Sequence, residues 1–264
     1  MQNKSFCVCP LASGSRGNCL FVSCGDTALL VDAGLSGVEI ERRLAAVDIL
    51  PDTLSGIIIT HEHSDHVKGA GILSRRFTIP VYISKRTFNA CSGLGKIADL
   101  KYFECGTSFT IAGIKIHPFS ISHDAADPAG LTMEYNEMKI GIATDLGIVT
   151  NLVKERLKNS DLLYLESNHD PRMLMNGSYP WHLKKRIQDR HGHLSNQDAV
   201  KLVNQLKTDR LQHVILAHLS EENNHPHLAA QKMIEGLNGS KISIHVAGPD
   251  KPGEVIHLQA FSEN

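Results

Sequence analysis

The sequence has 264 residues, with 27 basic and 28 acidic side chains and a formal charge of −1. That length suits one large α/β or sandwich domain, and residues 1–264 are read as a single unit. The balanced charge excludes a global field pulling the protein toward nucleic acid or a membrane surface, so an anionic substrate needs a local patch or a metal. With no apolar run of about 18 residues, no membrane span is expected.

Fifteen histidines stand out against one Trp and five Tyr, and histidine is the commonest metal ligand and near-neutral proton carrier. The six cysteines, Cys7, Cys9, Cys19, Cys24, Cys91 and Cys105, lack CxxC spacing, and no export signal precedes them. They read as reduced thiols of a cytosolic protein, many of them on buried strands.

In chain order, "FCVCPLA" and "NCLFVSCGDTALLVDAG" read as strands, with Gly25 and Asp26 turning a hairpin and Asp32 closing the last strand. "SGVEIERRLAAV" has helical periodicity, and "GIIIT" is a short β-branched run of the kind found in a fully buried strand. Further strands are expected at "VYIS", "IKIHPFSIS", "LTMEY", "KIGIAT", "DLLYLE", "HVILAH", "ISIHVA" and "EVIHL", and helices at 149–158, 195–206 and 226–237. Strands dominate the first half and alternate with helices in the second. Two packed sheets with helices outside fit this order better than one parallel sheet.

Directly after "GIIIT" comes "HEHSDH", which packs His61, His63, Asp65 and His66 into six positions. His61 and His63 leave an extended segment two residues apart and point to one side; Asp65 and His66 follow where the chain would turn into a helix. Imidazoles with a carboxylate suit zinc, manganese or iron, and the lack of Cys argues against a closed structural zinc site. Four ligands are more than one open catalytic ion draws from a single loop.

HxHxDH after an apolar strand resembles the signature of the metallo-β-lactamase fold, an αββα sandwich of two mixed sheets flanked by helices, with metals at the rim between the sheets. The later motifs of that superfamily have counterparts here in order: His123 in "ISHDAADP", Asp145 in "IGIATDLG" and His218 in "VILAHLSEEN". The resemblance implies two divalent ions, Zn²⁺, Mn²⁺ or iron. His61, His63 and His123 would hold the first, Asp65, His66 and His218 the second, and Asp145 would bridge them. Asp32 matches the early Asp that supports the ligand loop from beneath.

Within the superfamily, "LASGSRGNC", "YLESNHDPRML" and "SYPWHLKKRIQDRHGHLSN" make the chain resemble the YycJ/WalJ group of hydrolases. That resemblance implies a phosphodiesterase acting on nucleic acid, specifically 5′ to 3′ exonucleolysis of DNA, in which a metal-bridging hydroxide attacks phosphorus. Ser195 and Asp198 form a capping-box-like helix start that places His193 just before a helix N-terminus. His193 is then the general acid for the leaving oxygen, and Asp65 and His193 are the catalytic candidates. "RHGHLSN" resembles the His-Ser segment of tRNA 3′-processing endonucleases, whereas Leu165, Glu166 and Ser167 depart from their His-Glu motif. Glu166 is expected to orient His193, and His169 to support the site or face substrate.

Two stretches are candidates for substrate contact. Arg172, Lys184, Lys185, Arg186 and Arg190, with Tyr179 and Trp181 between, form a basic, aromatic-bearing strip; an exposed helix with a buried Trp181 explains it equally well. Ser13, Ser15, Arg16 and Asn18 sit on a glycine-rich loop that either borders the site or only turns tightly at Gly14 and Gly17. The enzyme rival is a hydrolase of a small ester, thioester, lactone or cyclic nucleotide. A flavodiiron-type role fits less well because a Glu would stand at His63, and the non-catalytic rival is a metal-stabilised binding protein. The interval from Asp145 to His218 is too short for the inserted domain of the β-CASP nucleases.

Overall fold

The computed structural model describes residues 5–259. Its strands are β1 (Phe6–Ala12), β2 (Cys19–Cys24), β3 (Thr27–Val31), β4 (Leu54–Ile58), β5 (Pro80–Ser84), β6 (Asp99–Phe103), β7 (Phe109–Ile111), β8 (Ile114–Ser120), β9 (Ala129–Tyr135), β10 (Met138–Ala143), β11 (Leu162–Glu166), β12 (His213–Ala217), β13 (Ser243–Val246) and β14 (Ile256–Leu258). The helices are α1 (Gly37–Ala45), α2 (Ser64–Val67), α3 (Ala70–Phe77), α4 (Lys85–Ala90), α5 (Asn151–Leu157), α6 (Pro171–Asn176), α7 (Trp181–Gln188), α8 (Asn196–Leu206) and α9 (Pro226–Leu237).

The strands form two seven-stranded sheets, ordered β14-β1-β2-β3-β4-β5-β6 and β13-β12-β11-β10-β9-β8-β7. Each is mixed in the same way. Antiparallel pairing holds from β14 to β3 and from β7 to β10; parallel pairing holds from β3 to β6 and from β10 to β13. The first half therefore pairs locally through the β1–β3 meander and again through the β7–β8 hairpin. Between them, from β3 to β6, the strands run parallel, and a parallel pair needs a crossover, which α1, α3 and α4 supply.

Core packing follows the side-chain period of two. Val8, Leu20, Val22, Leu29, Ile58, Leu131, Met133, Ile140, Ile142 and Tyr164 fill the space between the sheets. Leu30, Ile57, Ile59, Val81 and Ile83 face Ile40, Leu44 and Leu73 on the outer helices, while Leu163, Leu165, Val214 and Leu216 pack on Leu202, Val203 and Met233. The unbroken "GIIIT" run is explained: Ile58 points to one layer, Ile57 and Ile59 to the other, so β4 is covered on both faces. No disulfide joins any of the six cysteines, and Cys7, Cys9, Cys19 and Cys24 are buried.

Candidate metal centre

The site lies at the rim where the carboxyl ends of β3, β4, β10, β11 and β12 meet, the edge at which open α/β sheets hold their ligands. Asp32, Asp145 and His218 follow β3, β10 and β12, and all three have left-handed backbones, with φ of 61°, 56° and 54°. For residues other than glycine this costs about 1–3 kcal/mol each.

In "HEHSDH" the chain turns into a helix where its pattern predicts: His63, still extended, is the N-cap residue, without a side-chain cap bond, of the short α2 that carries Asp65 and His66. Gly34 lets the loop close, since a Cβ there would lie 1.6 Å from the Asp65 carbonyl oxygen. Asn18 ties the same loop down: its backbone N–H donates to that carbonyl at 2.7 Å, and its Nδ2 lies 3.1 Å from both Asp65 Oδ2 and His66 Nε2.

Asp32 is buried beneath the loop. Oδ1 accepts the Thr60 backbone N–H at 2.8 Å, and Oδ2 accepts the Thr60 hydroxyl at 2.9 Å and His66 Nδ1 at 2.8 Å. Thr60 Oγ1, its proton committed to Asp32, lies 3.0 Å from His61 Nδ1 and so accepts from it. One carboxylate thereby fixes the tautomers of two imidazoles and turns both Nε2 lone pairs toward the rim, the usual task of a ligand's supporting group.

Glu166 plays the matching part from the other sheet. Fully buried, its Oε1 accepts His193 Nδ1 and His218 Nδ1, each at 2.8 Å, and its Oε2 accepts the backbone N–H of Leu146 at 2.8 Å and of Leu194 at 3.0 Å. Burial pushes the carboxyl up, but the two imidazoles overcome it and hold Glu166 well below the usual carboxylate range. Burial likewise opposes protonation of His193, yet Glu166 outweighs it and raises the imidazole above its ordinary value. Ser13 supports the same region: its hydroxyl accepts the His218 backbone N–H at 2.7 Å.

The candidate ligand atoms fall into overlapping sets. His61, His63 and His123 place one nitrogen each within 4.8 Å of the others, as do the ligand atoms of Asp65, His66 and His218. Asp145 stands between them, with Oδ2 3.3 Å from His66 Nε2 and Oδ1 3.7 Å from His123 Nε2. Asp145 Oδ2 and His218 Nε2 are buried without a hydrogen-bond partner among the described residues. A buried polar atom left unpaired costs about 1–3 kcal/mol, and divalent metal held between these residues would satisfy both. Burial opposes charge on His66, but Asp32 and Asp145 lift it well above its ordinary value. Burial and the neighbouring imidazoles push His61 well below. The His/Asp cluster is thus of the kind that holds divalent metal, with protons competing for the same lone pairs.

A cleft of about 310 Å³ opens over these atoms, lined by Ser15, Asp124, Asn168, Tyr179, Arg186 and His193 among others. Arg186 is held there by Asp124 at 2.6 Å. Asn168, Asp124, Thr60 and Ser220 were not singled out from sequence. Thr60, directly before His61, is the one that adjacency to the motif could have flagged.

Lys184 is corrected outright, and for His169 and Trp181 one of the two readings offered falls. Lys184 is buried, and its ammonium donates to the Met175 and Gly177 carbonyls at 2.8 Å each, so it rivets the α6–α7 turn and does not face substrate. His169 is buried and does not line the cleft, so of its two expected roles the substrate-facing one falls. Trp181 is 57% exposed, so the strip is not an exposed helix with a buried Trp. Arg16 spends its guanidinium on Glu221 and Asp250 at 2.6 and 2.8 Å. Arg172, Lys185 and Arg190 are exposed.

Two mixed sheets between helices, with this histidine- and aspartate-lined rim, define a metallo-β-lactamase-type hydrolase. A model of the β-lactamase superfamily domain matches residues 27–219, and the chain belongs to that family of metal-dependent hydrolases. More particularly, it is 40% identical over 257 residues to the exodeoxyribonuclease YycJ of Bacillus anthracis, covering 94% of this chain and 97% of that one. It is 37% identical over 241 residues to the exodeoxyribonuclease WalJ of Streptococcus pneumoniae, covering 89% and 90%. Among solved structures, the metallo-β-lactamase fold protein YhfI of Bacillus subtilis matches with a TM-score of 0.74 at 16% identity, covering 97% of this chain and all of that one, a likeness of fold.

Proposed function

We propose that the protein is a dinuclear metal phosphodiesterase acting on nucleic acid, and specifically a 5′ to 3′ DNA exonuclease. The observation that carries the phosphodiesterase reading is His193, held by Glu166 through Nδ1 at 2.8 Å and lining the cleft beside both ligand sets. The exodeoxyribonuclease relatives, similar over nearly the whole chain, support DNA as the substrate.

In this reading His61, His63 and His123 hold one ion, Asp65, His66 and His218 the other, and Asp145 both; the metals are Zn²⁺, Mn²⁺ or iron. Bound there, divalent ions supply Lewis-acid charge stabilisation and water activation near neutral pH. His193 keeps Nδ1–H on Glu166, turns Nε2 to the cleft and, with its raised proton affinity, protonates the leaving oxygen of the scissile ester. Asp65, fastened by Asn18, orients the attacking water. Arg186, braced by Asp124, and Ser15 contact substrate phosphate at the cleft mouth.

The test incubates Mn²⁺-loaded protein with 5′-labelled duplex DNA, with 3′-labelled DNA, with RNA and with a generic phosphate bis-ester. Early release of 5′-terminal label from DNA is the expected result. Turnover of the bis-ester with no degradation of DNA at any metal concentration rejects the reading.

A further inference from the structure

Helix α7 has two working faces. Leu183, Arg186 and Ile187 turn into the cleft. The opposite stripe, at i, i+4 and i+7, is Trp181, Lys185 and Gln188, all exposed. The chain's single Trp is 57% exposed, and Lys185 Nζ sits 5.5 Å from its ring centroid. Met175, 45% exposed, extends the stripe, its Sδ 3.8 Å from Gln188 Nε2. Lys185 has no carboxylate partner among the described residues, whereas Arg186 beside it is paired with Asp124. A half-exposed indole next to a cation free of carboxylate has the parts of a stacking platform for a base with its phosphate. The Lys184 ammonium, buried on the Met175 and Gly177 carbonyls, fixes the platform to the body. A polynucleotide leaving the cleft reaches it after crossing one helix, about 10–12 Å.

We propose that the outer face of α7 is a second nucleic-acid contact, in which Trp181 stacks an unpaired base and Lys185 meets its phosphate several nucleotides from the scissile bond. This rests on the nucleic-acid reading of the cleft. Because there is one Trp, tryptophan emission, excited selectively above the tyrosine band, reports on this face alone.

The experiment titrates metal-loaded protein with phosphorothioate oligothymidylates of about 4 and about 20 nucleotides, spanning the ~4–16 nucleotides that a binding groove occupies. Tryptophan emission is recorded with the anisotropy of labelled oligonucleotide. The longer strand is expected to quench emission saturably and salt-dependently, and the shorter one weakly. Trp181→Ala should weaken binding of the long strand about tenfold or more, Trp181→Phe much less, and Lys185→Glu should weaken it whereas Lys115→Glu on a remote strand should not. Binding with silent emission and wild-type affinity in Trp181→Ala overturns the proposal, as does an emission change with protein concentration alone, which would mean that a second copy covers the ring. Cleavage of unmodified DNA is followed in parallel. DNA cut with silent emission rejects the outer contact and leaves the nuclease reading, and quenching without cutting does the reverse.

Discussion

Glu166→Gln puts the most weight on the geometry. The carboxylate has four hydrogen-bond donors to satisfy, two imidazole N–H groups on Oε1 and two backbone N–H groups on Oε2, and an amide has one oxygen. If that oxygen stays with the imidazoles, the amide NH₂ faces the Leu146 and Leu194 N–H groups, leaving two buried donors unpaired at about 1–3 kcal/mol each. Unfolding free energy should then fall by roughly 2–6 kcal/mol. If the amide turns over, His193 and His218 must each move their proton to Nε2, and His218 loses the lone pair it directs toward Asp65, 3.8 Å away. Metal affinity should then drop about 10–100-fold, with turnover falling about 10²–10⁴-fold as His193 loses its role. Urea unfolding, metal content after dialysis at limiting metal, and DNA turnover separate the two outcomes. A Glu166→Gln protein with wild-type stability, metal content and turnover would refute the assignment of Glu166 as the common anchor.

Asp65→Ala should release one equivalent of metal first and keep the ion on His61, His63 and His123, as read by metal analysis during stepwise chelation; simultaneous loss of both would contradict the division of ligands. Lys184→Met should destabilise the fold by about 1–3 kcal/mol, because two part-buried carbonyls lose their charged donor, and unchanged urea stability with weaker DNA binding would instead return Lys184 to the substrate. Glu39, on which the Arg42 and Arg43 guanidinium groups converge, is held down at about 2 from 4.5. A depressed carboxyl stabilises the fold above its unfolded value and ceases to as pH falls through the folded one. The wild type should therefore lose stability relative to Glu39→Gln between about pH 4.5 and pH 2, and parallel acid titrations of the two proteins would argue against the pair.

Periodicity placed β1, β2, β3 and the core of the second sheet, along with α1, α5, α8 and α9, within a few residues. It did not place β6, β7, α3, α4 or α6. β6 "DLKYF" and β7 "FTI" are edge strands whose short, mixed patterns carry little apolar alternation, and α4 and α6 are six-residue helices, too short for a 3.6-residue period to show. The strip at α7 shows the same limit. Composition identified its cations, but whether an ammonium meets water or two carbonyls depends on which turn it lies against.

What the sequence determined by itself was local chemistry: a dense run of metal-grade side chains at the end of a buried strand, and isolated His and Asp residues closing later strands. Their types and order suffice for that, because ligand identity and strand period are properties of short segments. Only the tertiary structure decided that Asp32 and Glu166, one from each sheet, each orient two imidazoles, that Asp145 stands between the two ligand sets, and that Lys184 is buried while Trp181 is not. Those facts depend on how two sheets meet and on three left-handed residues at their rim, and such contacts between segments distant in the chain leave no trace in the residues flanking either partner.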